Sequence, residues 1–188
     1  MSNPSVPSAL WDTVLSTLTT VRHRPDISVI EVPAPQRLAP QSVALTAELL
    51  SDASDSSGRF VVLHDPDPPE VWEGELRIVC FVKATLEPDI AADPMLTEVG
   101  WSWLLESLAH RRADYVALSG TVTRTTSEAF GDLSERDQDG TVEIRASWTP
   151  LSPDLGAHAL AWTDLVAVAS GLQAIPADVT PLGVTRRL

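Results

Sequence analysis

The sequence contains only one cysteine, Cys80, so no disulfide can form within the chain. It also lacks any apolar run close to the roughly 20 residues that a membrane-spanning helix needs. The first residues, Met-Ser-Asn-Pro-Ser-Val-Pro, have neither the basic start nor the apolar core of a signal peptide. These absences predict a soluble, cytoplasmic protein that folds without a disulfide or metal staple.

Basic residues are also few, and they are scattered along the chain. Lysine and arginine together number 13, against 26 aspartates and glutamates, which gives a formal net charge of -13. This charge repels phosphate backbones, and the cations form only short pairs. We therefore expect no nucleic-acid partner, and the lack of a spanning segment argues against a membrane partner.

The length and composition fit one globular domain. The chain has 188 residues, of which 44% are apolar and 21% are charged, so a sizeable core can be buried. We predict a disordered tail over residues 1–7, a single α+β domain over residues 8–175, and an irregular tail over residues 176–188.

The first half of the domain is predicted to contain one helix and three strands. Apolar residues repeat with helical spacing from Leu10 to Val21, after Ser8, which can cap the helix. Three prolines between Val32 and Pro40 favour an extended strap. Alternating residues then predict a strand over residues 43–49, which can pair as a hairpin with a second strand over residues 59–64. A third, central strand with alternating bulk on both faces is predicted over residues 75–86.

The second half adds a central helix, two strands and a last helix. Asp93 and Pro94 fit the N-cap and first position of the central helix. Strands are predicted over residues 115–125 and 141–148, and Gly171 fits the C-cap of the last helix. This order predicts an α+β fold with a mainly antiparallel sheet of about five strands and three helices. The same element order occurs in the type III secretion chaperone-like fold.

Two tryptophans two residues apart distinguish the central helix. At about 100° per residue, they cannot share one face of the helix. Trp101 shares a stripe with Leu104, Leu105 and Leu108, which we expect to face the core. The nearly opposite stripe contains Leu96, Val99, Trp103 and His110. Trp103 therefore packs under the strap or a terminal helix, or it faces a second copy of the chain, another protein or a ligand.

Local motifs give little support to catalysis or metal binding. Glu135, Asp137, Asp139 and Gly140 have the spacing of half an EF-hand loop, but Ala146 stands where a bidentate glutamate is required. The chain has no Gly-x-Ser-x-Gly elbow, and Cys80 alternates in phase with apolar residues, as a buried thiol would. We therefore predict no metal, no cofactor and no catalytic residue.

Four stretches of the sequence are similar to those of a known protein family: Val32–Pro40, Ala92–Trp103, Ser119–Arg124 and Glu143–Pro150. Together they resemble an actinobacterial family described only as a domain of unknown function, the one numbered three thousand. The resemblance extends from about Trp11 to Pro181. It implies a single-domain bacterial protein and brings no activity or site residue with it.

These observations favour a protein-interaction module, such as a chaperone-like adaptor, over an enzyme. Its partner would be another protein or, in a homodimer, the chain itself. The expected contact residues lie on the second stripe of the central helix and in the strap: Leu96, Val99, Trp103, His110, Gln36 and Arg37.

The alternative is a small-ligand-binding protein or an enzyme with an acidic site at a loop end. Glu87, Asp89 and Asp93 cluster before the central helix and supply carboxylates for such a site. Acid and base catalysis would require environments that separate their pKa values, which the sequence alone does not reveal.

Overall fold

The computed structural model describes residues 9–50, 55–131 and 140–172. The two predicted tails, the predicted cap Ser8 and residues 135–139 lie outside these ranges. The described residues form helices α1 (Ala9–Thr20), α2 (Pro88–Ala92), α3 (Leu96–Arg111) and α4 (Gly156–Ala169). They also form strands β1 (Ile27–Val32), β2 (Gln41–Leu49), β3 (Ser57–His64), β4 (Leu76–Leu86), β5 (Tyr115–Thr126) and β6 (Gly140–Pro150). No helix in this part of the chain is long and apolar enough to cross a membrane.

The strands form one antiparallel sheet in the order β1-β2-β3-β4-β6-β5. This confirms the predicted α+β class, the hairpin of β2 and β3, and the central place of β4. The sheet has six strands, one more than expected. The additional strand is β1, an edge strand in which only Ile27 is buried. A strand with only one buried side chain does not show the alternation of apolar and polar residues from which a strand is predicted.

The long helices pack on one face of the sheet, which we call the inner face. Residues of β3, β4 and β6 that point to this face are almost fully buried: Phe60, Val62, Ile78, Cys80, Val82, Val142, Ile144 and Trp148. Helix α4 contributes Trp162, Leu165 and Val166 to the same core, and α1 contributes Trp11 and Val14. Cys80 is a buried thiol, as its alternation in step with the apolar residues of the strand predicted. Burial raises its pKa to about 12.

Helix α3 begins later than predicted. Its N-cap is Met95, and Asp93 instead ends the short helix α2. The Asp93 carboxylate accepts a hydrogen bond from the Met95 backbone N–H at 2.8 Å. Pro88 sits in the first turn of α2, where its missing N–H costs nothing. The acidic stretch before α3 therefore forms a helical turn of its own.

The two opposite stripes predicted for α3 are only partly correct, because Leu104 and Leu108 face the core as predicted, whereas Leu105 is exposed and Leu96 of the second stripe is buried. One buried stripe faces the sheet, formed by Leu96, Gly100, Leu104, Ser107 and Leu108. Trp101 and Trp103 flank this stripe on either side, and both are half-buried against the core. The stripe is hard to see in the sequence because Gly100 and Ser107 are not apolar. Gly100 brings α3 close to the sheet, since a Cβ there would lie 3.1 Å from Val122.

The opposite face of the sheet, the outer face, is covered at one end by the strap. Ala34 and Ala39 of the strap pack on a small cluster formed by Ala44, Val61 and Leu63. Trp72, in a 3-10 turn over Glu70–Trp72, packs on the same cluster. The strap was expected beside the central helix, but it lies across the sheet from α3. Its position follows from its ends, which continue into the paired strands β1 and β2.

Candidate functional site

The predicted partner-binding residues do not form one surface. Trp103 and His110 line a cavity of about 220 Å³ between α3 and α4, and Val99 is 39% exposed on the same helix. Leu96 is only 3% exposed and belongs to the core, so it offers no contact surface. Gln36 and Arg37 are exposed in the strap, on the outer side of the sheet. The structure therefore brings together Trp103, His110 and Val99 and separates them from the strap.

Two arginines near the Trp103 cavity are paired with carboxylates of the chain. Arg111 of α3 donates two hydrogen bonds to Asp164 of α4, at 2.6 and 2.9 Å, and this carboxylate raises the pKa of Arg111. Arg24 makes a similar two-point contact with Asp26, at 2.7 and 2.6 Å. These pairs fix the walls of the cavity.

The predicted acidic site lies around the short helix α2. Glu87 is its N-cap, Asp89 lies in its first turn and Asp93 follows its end. All three side chains are exposed, and none lines the cavity beside Trp103, a cavity on the outer face of the sheet or a cavity beside α1. Over the same residues, no group of three carboxylate, histidine or cysteine side chains is arranged to hold a metal ion.

A cavity of about 580 Å³ lies on the outer face, beyond the strap. Its walls come from four neighbouring strands: Arg59 of β3, Val79 and Phe81 of β4, Arg145 and Ser147 of β6, and Ser119 and Thr121 of β5. We call these side chains, together with Lys83 of β4, the open face. All the long helices pack on the other side of the sheet, so this face has no covering layer in the described part of the chain.

Strand register places the open-face residues in rows across the sheet. Phe81 pairs with Arg59 on one side and with Arg145 on the other, and Arg145 pairs with Thr121. The Arg145 guanidinium lies 4.9 Å from the centre of the Phe81 ring, in cation–π contact. The next row contains Val79, Ser147 and Ser119. Apolar side chains, hydroxyl groups and cations therefore lie next to one another in these two rows of the open face.

Arg77 lies buried at the end of this cavity. Its Nη2 donates to the Ser147 hydroxyl at 2.7 Å and to the Ser119 hydroxyl at 3.5 Å. Its Nη1 donates to the Ala117 carbonyl at 2.9 Å and to the Thr149 hydroxyl at 3.3 Å. Burial lowers the pKa of Arg77, while the charge of Glu73 opposes this shift. No carboxylate in the described residues forms an ion pair with this guanidinium.

A bulge in the edge strand β5 provides one acceptor for Arg77. The pairing of β5 with β6 shifts register between Val116 and Ser119. Within this interval Ala117 has φ 51°, an unfavourable left-handed conformation for a residue with a side chain. Backbone strain of this kind is concentrated at functional sites. The bulge directs the Ala117 carbonyl to Arg77 and marks this end of the open face.

Residues 7–180 match the model of one family, described as protein of unknown function (DUF3000). The chain belongs to this family. The match confirms the predicted resemblance and assigns no role to any residue. No curated protein and no solved structure matches the chain. The similarity of element order to the type III secretion chaperone-like fold therefore stays a prediction.

The open face was not predicted from the sequence, although one signal for it is present. On β4 the outward positions are Arg77, Val79, Phe81 and Lys83, a set that joins the only lysine, an arginine and an aromatic ring. These residues indicated only that both faces of the strand carry bulk. Because basic residues are few in this chain, two of them at outward positions of one strand were a signal for a binding surface on this face.

Proposed function

We propose that the protein is a protein-interaction module whose open face binds an acidic segment of a partner protein. The observation that carries this proposal is the uncovered sheet face on which Arg59, Lys83 and Arg145 lie on three adjacent strands. In a chain with a net charge of -13, cations grouped on one face are the feature that favours an acidic partner.

Apolar side chains between these cations would supply contact area. Val79 is 38% exposed, and Phe81 is half-buried beneath the Arg145 guanidinium. Glu143 contacts Arg145 at 3.1 Å in an exposed ion pair, which a partner carboxylate could replace at little cost. Aromatic and arginine side chains are enriched among residues that dominate binding energy at interfaces.

A partner protein explains this face better than a second copy of the chain does. A symmetric dimer through the open face would bring Arg59, Lys83 and Arg145 toward the same cations of the other copy. Like charges placed together at an interface oppose association. An acidic segment from a different protein has the complementary charge.

Two valines of nearly equal exposure allow a controlled test. Val79 on the open face is 38% exposed and Val99 on α3 is 39% exposed. We expect a photoreactive amino acid at position 79, in the native cytoplasm that we propose as the location, to cross-link to an Asp- and Glu-rich segment of another protein. The same amino acid at position 99 should not. Replacing Arg59 and Lys83 with glutamine should abolish the cross-link.

Cross-linking from position 99 alone would contradict the open-face proposal. It would instead support a second surface for the same function, formed by Val99, Trp103 and His110. The observation that favours this second surface is the cavity of about 220 Å³ beside Trp103, which has room for one apolar side chain of a partner. Cross-links from neither position would reject both surfaces.

A further inference from the structure

The hydroxyl groups of Ser119 and Ser147 are held with their protons available to the cavity. Each oxygen accepts a hydrogen bond from Arg77, at 3.5 and 2.7 Å. A hydroxyl that accepts a bond still has its own O–H to donate. In the described part of the chain, neither hydroxyl donates to a protein acceptor, and both line the cavity of the open face. They are therefore positioned as donors to a bound group.

Positive charge surrounds these two hydroxyls on opposite sides. Arg77 lies at one end of the cavity, and among the described residues it donates only to carbonyl and hydroxyl oxygens. Arg59 and Arg145 stand in the next row at the other end. Arg59 donates to the Pro33 carbonyl at 3.2 Å and has no carboxylate partner among the described residues. In the described ranges, the carboxylate that contacts this cluster is Glu143, which is paired with Arg145.

We propose that this cavity binds a phosphoryl group, with Ser119 and Ser147 donating to its oxygens and Arg59 and Arg145 neutralising its charge. A phosphate monoester carries up to two negative charges and three strong acceptor oxygens, which match several donors converging from different directions. The Arg77 guanidinium orients the two hydroxyls from below. Val79 and Phe81 then contact the apolar or aromatic body of the ester.

This inference rests on the proposed function because it names the group that the open face recognises. The phosphoryl group is carried either by a phosphorylated side chain in the partner's acidic segment or by a small phosphate ester. Both carriers present the same chemistry to Ser119 and Ser147. The two sources are separated by measuring a phosphoserine peptide rich in aspartate, its unphosphorylated form, and phenyl phosphate.

Calorimetric titration of the full chain with phenyl phosphate tests the pocket directly. We expect saturable binding at millimolar or lower concentration, weakened roughly tenfold by Arg145→Gln and several-fold by Ser147→Ala, because each loses one charge-assisted contact. Arg22→Gln is the matched control, since Arg22 is exposed after α1 on the inner side of the molecule. It should change the dissociation constant by less than about twofold. Thermal melting of each variant verifies that it folds.

Three outcomes would overturn the phosphoryl pocket: no binding of phenyl phosphate, equal weakening by Arg22→Gln, or tighter binding of benzoate than of phenyl phosphate. If the phosphopeptide binds more tightly than phenyl phosphate, the carrier is the partner's side chain. If phenyl phosphate binds at least as tightly, the carrier is a small ester. A cross-link at position 79 without binding of phenyl phosphate rejects the phosphoryl pocket and is compatible with the proposed function.

Binding of phenyl phosphate without a cross-link rejects the acidic protein partner and is compatible with the phosphoryl pocket.

Discussion

At the scale of single residues, His158 shows how burial controls charge in this protein. It lies almost fully buried on α4, and its Nδ1 accepts a hydrogen bond from the indole N–H of Trp148 at 3.1 Å. Burial lowers its pKa from 6.5 to about 4, although the charges of Asp114 and Asp154 oppose the shift. A neutral imidazole is needed for this contact, because a protonated Nδ1 could not accept.

This histidine makes the stability depend on pH. In the unfolded chain His158 takes up a proton below pH 6.5, whereas in the folded chain it stays neutral to about pH 4. Its contribution is therefore complete above pH 6.5 and declines as the pH falls, by roughly 3 kcal/mol at pH 4. Urea unfolding followed by tryptophan fluorescence at several pH values measures this loss.

His158→Gln supplies the control, since the glutamine carbonyl can accept the Trp148 bond and does not titrate. The wild type should lose more stability than the variant between pH 7 and pH 4. Equal losses in the two proteins would show that other groups cause the pH dependence.

At the scale of secondary structure elements, α3 is positioned by its buried stripe rather than by its tryptophans. Leu104 is 1% exposed at the centre of this stripe, whereas its neighbour Leu105 is 36% exposed. The bidentate contact between Arg111 and Asp164 then joins α3 to α4 at the helix end. The helix therefore presents one side to the sheet and one edge to α4.

Adjacent leucines test this orientation. Leu104→Ala should lower the free energy of unfolding by about 2 to 5 kcal/mol, because it leaves a cavity in the core. Leu105→Ala should lower it by less than about 1 kcal/mol, because little area leaves contact with the core. Chemical denaturation compares the two variants. A larger loss of unfolding free energy for Leu105→Ala than for Leu104→Ala would contradict this orientation and favour the stripe predicted from the sequence.

The helices and strands were largely predictable from the sequence, whereas the side that each one buries was only partly so. Strong alternation identified β2, β4 and β6. Gly171, predicted as the C-cap of the last helix, follows the observed C-cap Ser170 and has φ 75°. The buried side of α3 was missed because it depends on how closely Gly100 approaches the sheet. The open face was missed because it depends on strand register: Phe81 meets Arg59 and Arg145 only after three strands have paired.

At the scale of the whole molecule, the charge is unevenly distributed. Three of the 13 basic residues lie on the open face with Arg77 beside them, while the chain as a whole carries -13. The rest of the chain therefore carries a net negative charge larger than 13. This arrangement favours approach of an anionic partner in one orientation.

The net charge also predicts how salt affects stability. At pH 7 repulsion among carboxylates destabilises the compact state, so sodium chloride should raise the melting temperature by screening it. Near the isoelectric point of about 4.5 this effect should disappear, because the charges balance. Thermal melts at low and physiological salt at both pH values measure the difference. The same salt response at both pH values would contradict this explanation.

The bulge at Ala117 has a consequence beyond holding Arg77. Strand β5 is twelve residues long and forms an edge of the sheet, so one side of its backbone has no strand partner in the described part of the chain. A long regular edge recruits strands from neighbouring molecules and leads to polymers. Between Val116 and Ser119, two residues of β5 face one of β6, which interrupts the regular spacing of amide and carbonyl groups. The irregularity that positions a buried cation therefore also limits growth of the sheet across molecules.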